Sequence, residues 1–243
     1  MLKICGITEI PFARAAAEAG VDFLGFVFAQ GSPRRVSPDK AARIGAVARA
    51  TARATARSRP SCPLRTVGVF TPRPVDEILL VADAASLDVV QLHGRFSPEA
   101  VSVVKSHGFE TWILDDGGDP GATGADGIIV DGVKGGRTGG TGTLGDWTRV
   151  AAIRAAGRKA ILAGGLSAAN IAAAAATGAD ILDVNSSLET APGVKSADRL
   201  FALLSSYPRS RPVWTAACPR GSTRRNQVSG SCTGPGVQPS CRR

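Results

Sequence analysis

Residues 159–187 read KAILAGGLSAANIAAAAATGADILDVNSS, and the order of features in that stretch decides the fold. Lys159–Leu162 is a short apolar run followed by Gly164 and Gly165. Ser167–Thr177 has the alanine-rich composition of a helix, and Gly178 stands where a helix C-cap belongs. A second apolar run, Asp180–Val184, then ends on Asn185, Ser186 and Ser187. Strands buried on both faces of a parallel sheet read as continuous apolar runs rather than alternating ones. The stretch is therefore a strand–helix–strand unit of an α/β protein.

The same unit recurs along the chain. Strands are expected at 2–5, 22–28, 66–70, 88–92, 110–114, 127–131, 159–162 and 180–184, and helices at 11–19, 38–52, 74–84, 98–106, 146–156, 167–177 and 197–206. Several of the helices open on proline, which suits a first turn. Between the fifth and sixth strands the chain reads DDGGDPGATGAD, which is too rich in turn residues to hold a helix. Eight strands alternating with helices predict a (β/α)8 TIM barrel with helix 5 missing or abbreviated. The rival is an open doubly wound sheet. No GxGxxG follows the first strand, and the phosphate signals come late in the chain, so the barrel is preferred. The barrel domain is expected over 1–207.

Composition narrows the function classes. Of 243 residues, 44% are hydrophobic, enough for a packed core. No apolar run reaches the roughly 18 residues that suggest a membrane span, and the start has no apolar segment of leader type, so a cytoplasmic protein is expected. The net charge of +9 looks suited to nucleic acid. However, seven arginines and no acid lie in 208–243, and the body without them holds 22 basic against 20 acidic residues. The 208–243 segment, rich in Pro, Gly, Ser and Arg, reads as a disordered tail. Aromatic interleaving is confined to Trp214, so nucleic-acid binding is not expected. A second basic cluster, Arg49, Arg53, Arg57 and Arg59, reads as a solvated helix face running into a loop. Cys5, Cys62, Cys218, Cys232 and Cys241 form no CxxC and no zinc spacing, so free thiols and no metal are expected.

Barrel enzymes place chemistry at the carboxyl ends of their strands. Those ends carry Cys5, then Arg34 and Arg35 in GSPRRVSP, then Gln91 and His93, then Asp131, and finally Asp183. Gly140 and Gly142, Gly164 and Gly165, and Ser186 and Ser187 fall at successive strand ends, where small residues let backbone N–H groups approach a phosphate. Cys5 and Asp131 form a candidate base and acid on opposite sides of the mouth. Each has a plainer reading: Cys5 as buried filler, Asp131 as the cap of a glycine turn. His93 also reads as a core histidine, and either arginine could be a surface residue. With no cofactor fingerprint, these residues describe a cofactor-free barrel acting on a phosphorylated small molecule.

The stretches LKICGIT, DFLGFVF, SPRRVSP, VGVF, VVQLHG, IIVD, GGTG, LAGGL, DVNSSLE and PGVK run in order from Leu2 to about Ser206. In that combination the chain resembles the phosphoribosylanthranilate isomerases of tryptophan biosynthesis. The resemblance implies an Amadori rearrangement with Asp131 as general acid and Cys5 as general base. It also implies that Arg34 engages the anthranilate carboxylate and that the glycine and serine loops grip the phosphate. A monomer is the simplest expectation for the assembly. Gln91, His93 and Asp183 remain candidate substrate contacts. The related isomerase of the histidine pathway would be expected to carry aspartate where Cys5 stands. Three positions depart from the family pattern: Gly145, and Trp112 with Ile113, which are expected to alter the floor of the mouth.

Overall fold

The computed structural model describes residues 1–55, 63–134, 137–138 and 146–208. Among them, eight strands form the barrel: β1 (Leu2–Ile4), β2 (Phe23–Val27), β3 (Arg65–Phe70), β4 (Val89–Leu92), β5 (Glu110–Leu114), β6 (Gly127–Val130), β7 (Lys159–Leu162) and β8 (Ile181–Val184). Every neighbouring pair is parallel, and β1 pairs with both β2 and β8, so the sheet closes. Helices α1 (Ile10–Glu18), α2 (Pro38–Ala54), α3 (Val75–Ala84), α4 (Pro98–Ser106), α5 (Arg149–Ala155), α6 (Ile171–Ala176) and α7 (Ala197–Ser206) surround it. Between β5 and β6 the chain makes only a 3-10 turn, Pro120–Thr123, as the turn-rich sequence predicted.

Side chains alternate along each strand between two cores. One set, including Leu2, Ile4, Leu24, Phe26, Ile128 and Leu182, packs outward under the helices. The other, including Phe23, Val67, Val89, Trp112, Ile129, Ile161 and Ile181, fills the barrel. Trp112 is fully buried there, edge-on to Phe23, and its indole N–H donates to Glu110 Oε1 at 2.7 Å. Glu110 is also held by Arg65 and Lys159, at 2.6 Å each, which places this polar cluster at the strand starts. Trp112 therefore plugs the barrel interior. Ile113 packs outward against the helix-facing core and takes no part in the mouth.

A fourfold pattern ties the strand starts together. Asp22, Asp88, Asp126 and Asp180 each stand one residue before an even-numbered strand. Their carboxylates accept from the backbone N–H of Leu2, Thr66, Thr111 and Ala160, at 2.7, 2.7, 2.9 and 2.8 Å. Each acceptor thus clips its own strand to the odd-numbered strand before it. Asp22, Asp88 and Asp180, expected as first strand residues, lie just outside the strands.

Helix starts follow their caps. Ser37, Ser97 and Ser196 accept from backbone N–H groups three residues on and open α2, α4 and α7. The helix expected from Ser167 begins only at Ile171. Asn170 Oδ1 accepts from the Ser167 N–H at 2.8 Å, and its Nδ2 donates to the Gly165 carbonyl at 2.9 Å, which holds 165–170 as a loop. Likewise α5 begins at Arg149 rather than 146, after a turn in which Asp146 accepts from Thr148. Two short hairpins were not anticipated, Val133–Lys134 with Arg137–Thr138 and Glu189–Ala191 with Val194–Lys195. The 209–243 part of the tail lies outside the described residues, as do Cys62, Arg57 and Arg59.

Replacing Asp180 by alanine leaves the Ala160 N–H, in a fully buried residue, without its acceptor. The expected cost is about 1–3 kcal/mol, read as a lower urea midpoint with turnover per folded molecule unchanged. An unaltered midpoint would show that the tie carries no stability.

Candidate active site

Cys5 immediately follows β1 and is 6% exposed, and Gly6 beside it takes φ +70. Below it, Lys3 is fully buried inside the barrel. Its ammonium donates to Asp183 Oδ2 at 2.5 Å and Gln91 Oε1 at 2.8 Å. Gly25 on β2 makes room for this pair of neighbours, since a Cβ there would fall 2.9 Å from Cys5 Sγ and 3.1 Å from Lys3 Cε. Burial pushes the Cys5 thiol pKa up; the Lys3 ammonium pulls it down, Asp183 pushes it up, and Lys195 and the Gly6 N–H pull it down, with the net upward. For Lys3 burial works downward, but the Asp183 carboxylate and the Cys5 sulfur outweigh it and hold the ammonium charged.

Asp131 follows β6. Burial raises its carboxyl pKa above the ordinary value, partly opposed by His93, raised further by Asp183, and opposed again by the Gly132 N–H and Lys3. The same Lys3–Asp183 pair therefore acts on both Cys5 and Asp131, and the two candidates flank it. Among the described residues, Asp131 Oδ1, Asp183 Oδ1 and His93 Nδ1 are buried polar atoms without a hydrogen-bond partner. Native proteins leave few such atoms, and three around one barrel mouth mark where a ligand's polar groups belong. Gly164, at φ +81, lies against Asp131: a Cβ there would come within 2.4 Å of the Gly132 nitrogen and 2.7 Å of Asp131 Oδ1.

Arg34 is the inward member of its pair; Arg35 is exposed. The Arg34 stem crosses Gly6, where a Cβ would meet its Cδ at 2.8 Å. Its guanidinium donates to Glu189, Nε to Oε1 at 2.8 Å and Nη2 to Oε2 at 2.7 Å. Lys195 donates to Glu189 Oε1 at 3.3 Å and to the Asn185 carbonyl and Oδ1, each at 3.1 Å. Its side chain is 2% exposed, and burial pulls its pKa below the ordinary lysine value. Glu189, by contrast, is held below its ordinary value: burial pushes up, but Arg34 and Lys195 prevail.

The structure thus brings Cys5, Asp131, Arg34, Gln91, His93 and Asp183 to one end of the barrel. Gly164, Gly165, Ser186 and Ser187 stand at the ends of β7 and β8, where the Ser187 hydroxyl donates to the Leu166 carbonyl at 2.6 Å and joins the two loops. Gly140, Gly142 and Gly145 lie outside the described residues. The sequence reading missed Lys3, Glu189 and Lys195. For Lys3 and Asp183 a signal existed, because a charged residue in a strand buried on both faces needs a partner within the barrel.

Comparison with known proteins follows the same lines. Residues 2–205 match the family model described as N-(5'phosphoribosyl)anthranilate (PRA) isomerase. The N-(5'-phosphoribosyl)anthranilate isomerase of Pelobacter propionicus is 37% identical over 203 residues, covering 82% of this chain and 91% of that protein. The crystal structure of phosphoribosyl anthranilate isomerase from Thermus thermophilus superposes with a TM-score of 0.71 at 33% identity, covering 84% of this chain and 96% of that one. A phosphoribosyl anthranilate isomerase solved in complex with reduced 1-(o-carboxyphenylamino)-1-deoxyribulose 5-phosphate gives 0.67 at 27% identity, with 84% and 96% covered. The chain belongs to the N-(5'-phosphoribosyl)anthranilate isomerase family and is an isomerase of tryptophan biosynthesis.

Proposed function

We propose that the chain converts N-(5-phosphoribosyl)anthranilate to 1-(2-carboxyphenylamino)-1-deoxyribulose 5-phosphate by a cofactor-free Amadori rearrangement. One observation carries this reading: the buried Cys5 thiol and the half-buried Asp131 carboxyl flank the internal Lys3–Asp183 ion pair, and the carboxyl has a buried oxygen without a hydrogen-bond partner. The family neighbour solved with a reduced form of the product supports the substrate class.

In this scheme the Asp131 carboxyl, whose hold on its proton is strengthened by burial, donates that proton to the ribose ring oxygen. The anilino nitrogen's lone pair expels that oxygen from C1, leaving a protonated Schiff base. The Cys5 thiolate removes the proton from C2, and the C–H electrons form the C1–C2 double bond of an enolamine. Proton return at C1 and loss of the proton from the C2 hydroxyl give the ketose. Lys3 is the fixed positive charge beside which the thiolate forms, and Asp183 and Gln91 keep its ammonium in place. Arg34 takes the aryl carboxylate, His93 and Asp183 meet the sugar hydroxyls, and the loops at Gly164–Gly165 and Ser186–Ser187 take the phosphate. Each barrel holds all of these groups, which supports a monomer. Among the described residues no helix is long and apolar enough to cross a membrane; we place the enzyme in the cytoplasm.

Anthranilate-fluorescence decay with freshly made substrate tests the pair. Cys5→Ala and Asp131→Asn should each lower kcat by at least about a hundredfold, the lower end of general acid–base contributions, with native circular dichroism retained. Turnover within a few-fold of wild type in either variant would remove that residue from the mechanism.

The pH dependence is that of a reverse-protonated pair. The working form needs Asp131 protonated and Cys5 ionised, yet both pKa values are raised. Thus kcat/KM should rise with pH until Asp131 starts to ionise, stay level, and fall only as Cys5 becomes fully thiolate. The rate of Cys5 alkylation by iodoacetamide, in a protein with the other four cysteines changed to serine, should have its midpoint above the ordinary thiol value of 9.0. A midpoint below it would mean that Lys3 and Lys195 outweigh burial.

A further inference from the structure

The mechanism uses Arg34 but gives no work to the hairpin that holds it. That hairpin, Glu189–Ala191 with Val194–Lys195, pairs Glu189 directly opposite Lys195. Its turn is anchored on two other loops. Thr8, after β1, donates its hydroxyl to the Gly193 carbonyl at 2.7 Å. Gly193 also packs on the loop after β2: it takes φ +83, and a Cβ there would sit 2.6 Å from the Pro33 carbonyl oxygen. The base of the hairpin is fixed as well, since the Arg199 guanidinium donates to the Glu189 carbonyl. Three loops around the mouth are thus locked to one another, and the Arg34–Glu189 fork lies at their junction.

The charges have a consequence for recognition. Arg34 and Lys195 bring two positive charges to one negative charge on Glu189, so the cluster keeps a single net positive charge. Glu189, only 7% exposed, occupies the Nε–Nη2 edge of Arg34. A guanidinium held on one edge by a buried carboxylate presents its other edge, Nη1 with the remaining Nη2 proton, in a fixed plane. That edge matches a second planar carboxylate.

We infer that Glu189, braced by Lys195 and the Gly193 turn, is the positioning residue that makes the mouth selective for a substrate bearing an aryl carboxylate. The inference rests on the proposed role of Arg34. Glu189 and Lys195 are not catalytic residues; they act through the guanidinium.

The experiment compares two ligands by calorimetry: reduced 1-(o-carboxyphenylamino)-1-deoxyribulose 5-phosphate, and the same molecule without its aryl carboxylate. The ratio of their Kd values isolates recognition of the carboxylate. Glu189→Gln preserves shape but weakens the fork, and should reduce that ratio by about tenfold while the Kd of the decarboxylated ligand stays within about twofold. Gly193→Ala, which displaces the turn from Pro33, should do the same, and it reports independently if Glu189→Gln fails to fold. In an Arg34→Met background neither change should alter the ratio further. Equal weakening of both ligands, or an unchanged ratio, would overturn the inference. A ratio unaffected by Arg34→Met alone would instead overturn the proposed role of Arg34, a separate failure.

Discussion

An ammonium inside a closed β-barrel has no water to turn to, so it must be neutralised where it stands. Lys3 meets that constraint through Asp183, on the adjacent strand β8, and Gln91, on β4 across the barrel. The arrangement above follows from it. The pair spans the interior just below the mouth, its charges reach both Cys5 and Asp131, and Gly25 is small because the Lys3 stem and the Cys5 sulfur share the space over β2. Without Lys3, a carboxylate would be buried beside a thiol expected to ionise. Without Asp183, the cation would be uncompensated. The acid and base of the proposed reaction thus lie on either side of an ion pair that is neutral overall and polarising locally.

Much of this was legible in the sequence. Continuous apolar runs located every barrel strand to within a residue or two, because a strand buried on both faces has no other way to be written. The missing fifth helix was evident from DDGGDPGATGAD, and the serine-capped starts of α2, α4 and α7 followed local rules. The readings that moved did so where a side chain bonded to backbone nearby. Asn170 holds its own loop and delays α6, and Asp146 does the same before α5. These competitions are settled by tertiary placement, which composition does not encode.

The candidate site divides in the same way. Cys5, Asp131, Arg34 and Asp183 could be found because they stand at strand ends, where barrels put chemistry. Glu189 and Lys195 were missed. They sit in a loop expected to be irregular, and only the hairpin brings residues six apart in sequence face to face. A glutamate and a lysine flanking Pro192–Gly193 were the available signal, since opposite charges paired across a tight turn stabilise a hairpin. Trp112 reaches both ends. As a departure from the family pattern it was expected to alter the floor of the mouth; its ring lies 6.0 Å from the Lys3 ammonium, while its indole N–H is bound to Glu110 at the far end of the barrel.

The aspartates that clip neighbouring strands also bear on how such a barrel assembles. Asp22 reaches back 20 residues, Asp88 22, Asp126 15 and Asp180 20, each to the strand that precedes its own. These carboxylate ties all run from an even strand to the odd strand before it. The cylinder is therefore four strand pairs, each closed by its own carboxylate over a short loop, before any closure of the whole ring. Short loops cost little entropy to close, and structures rich in local contacts fold fast. Quarter by quarter, the barrel can secure its lower rim before β1 meets β8, and that final meeting is also the one that brings Lys3 to Asp183.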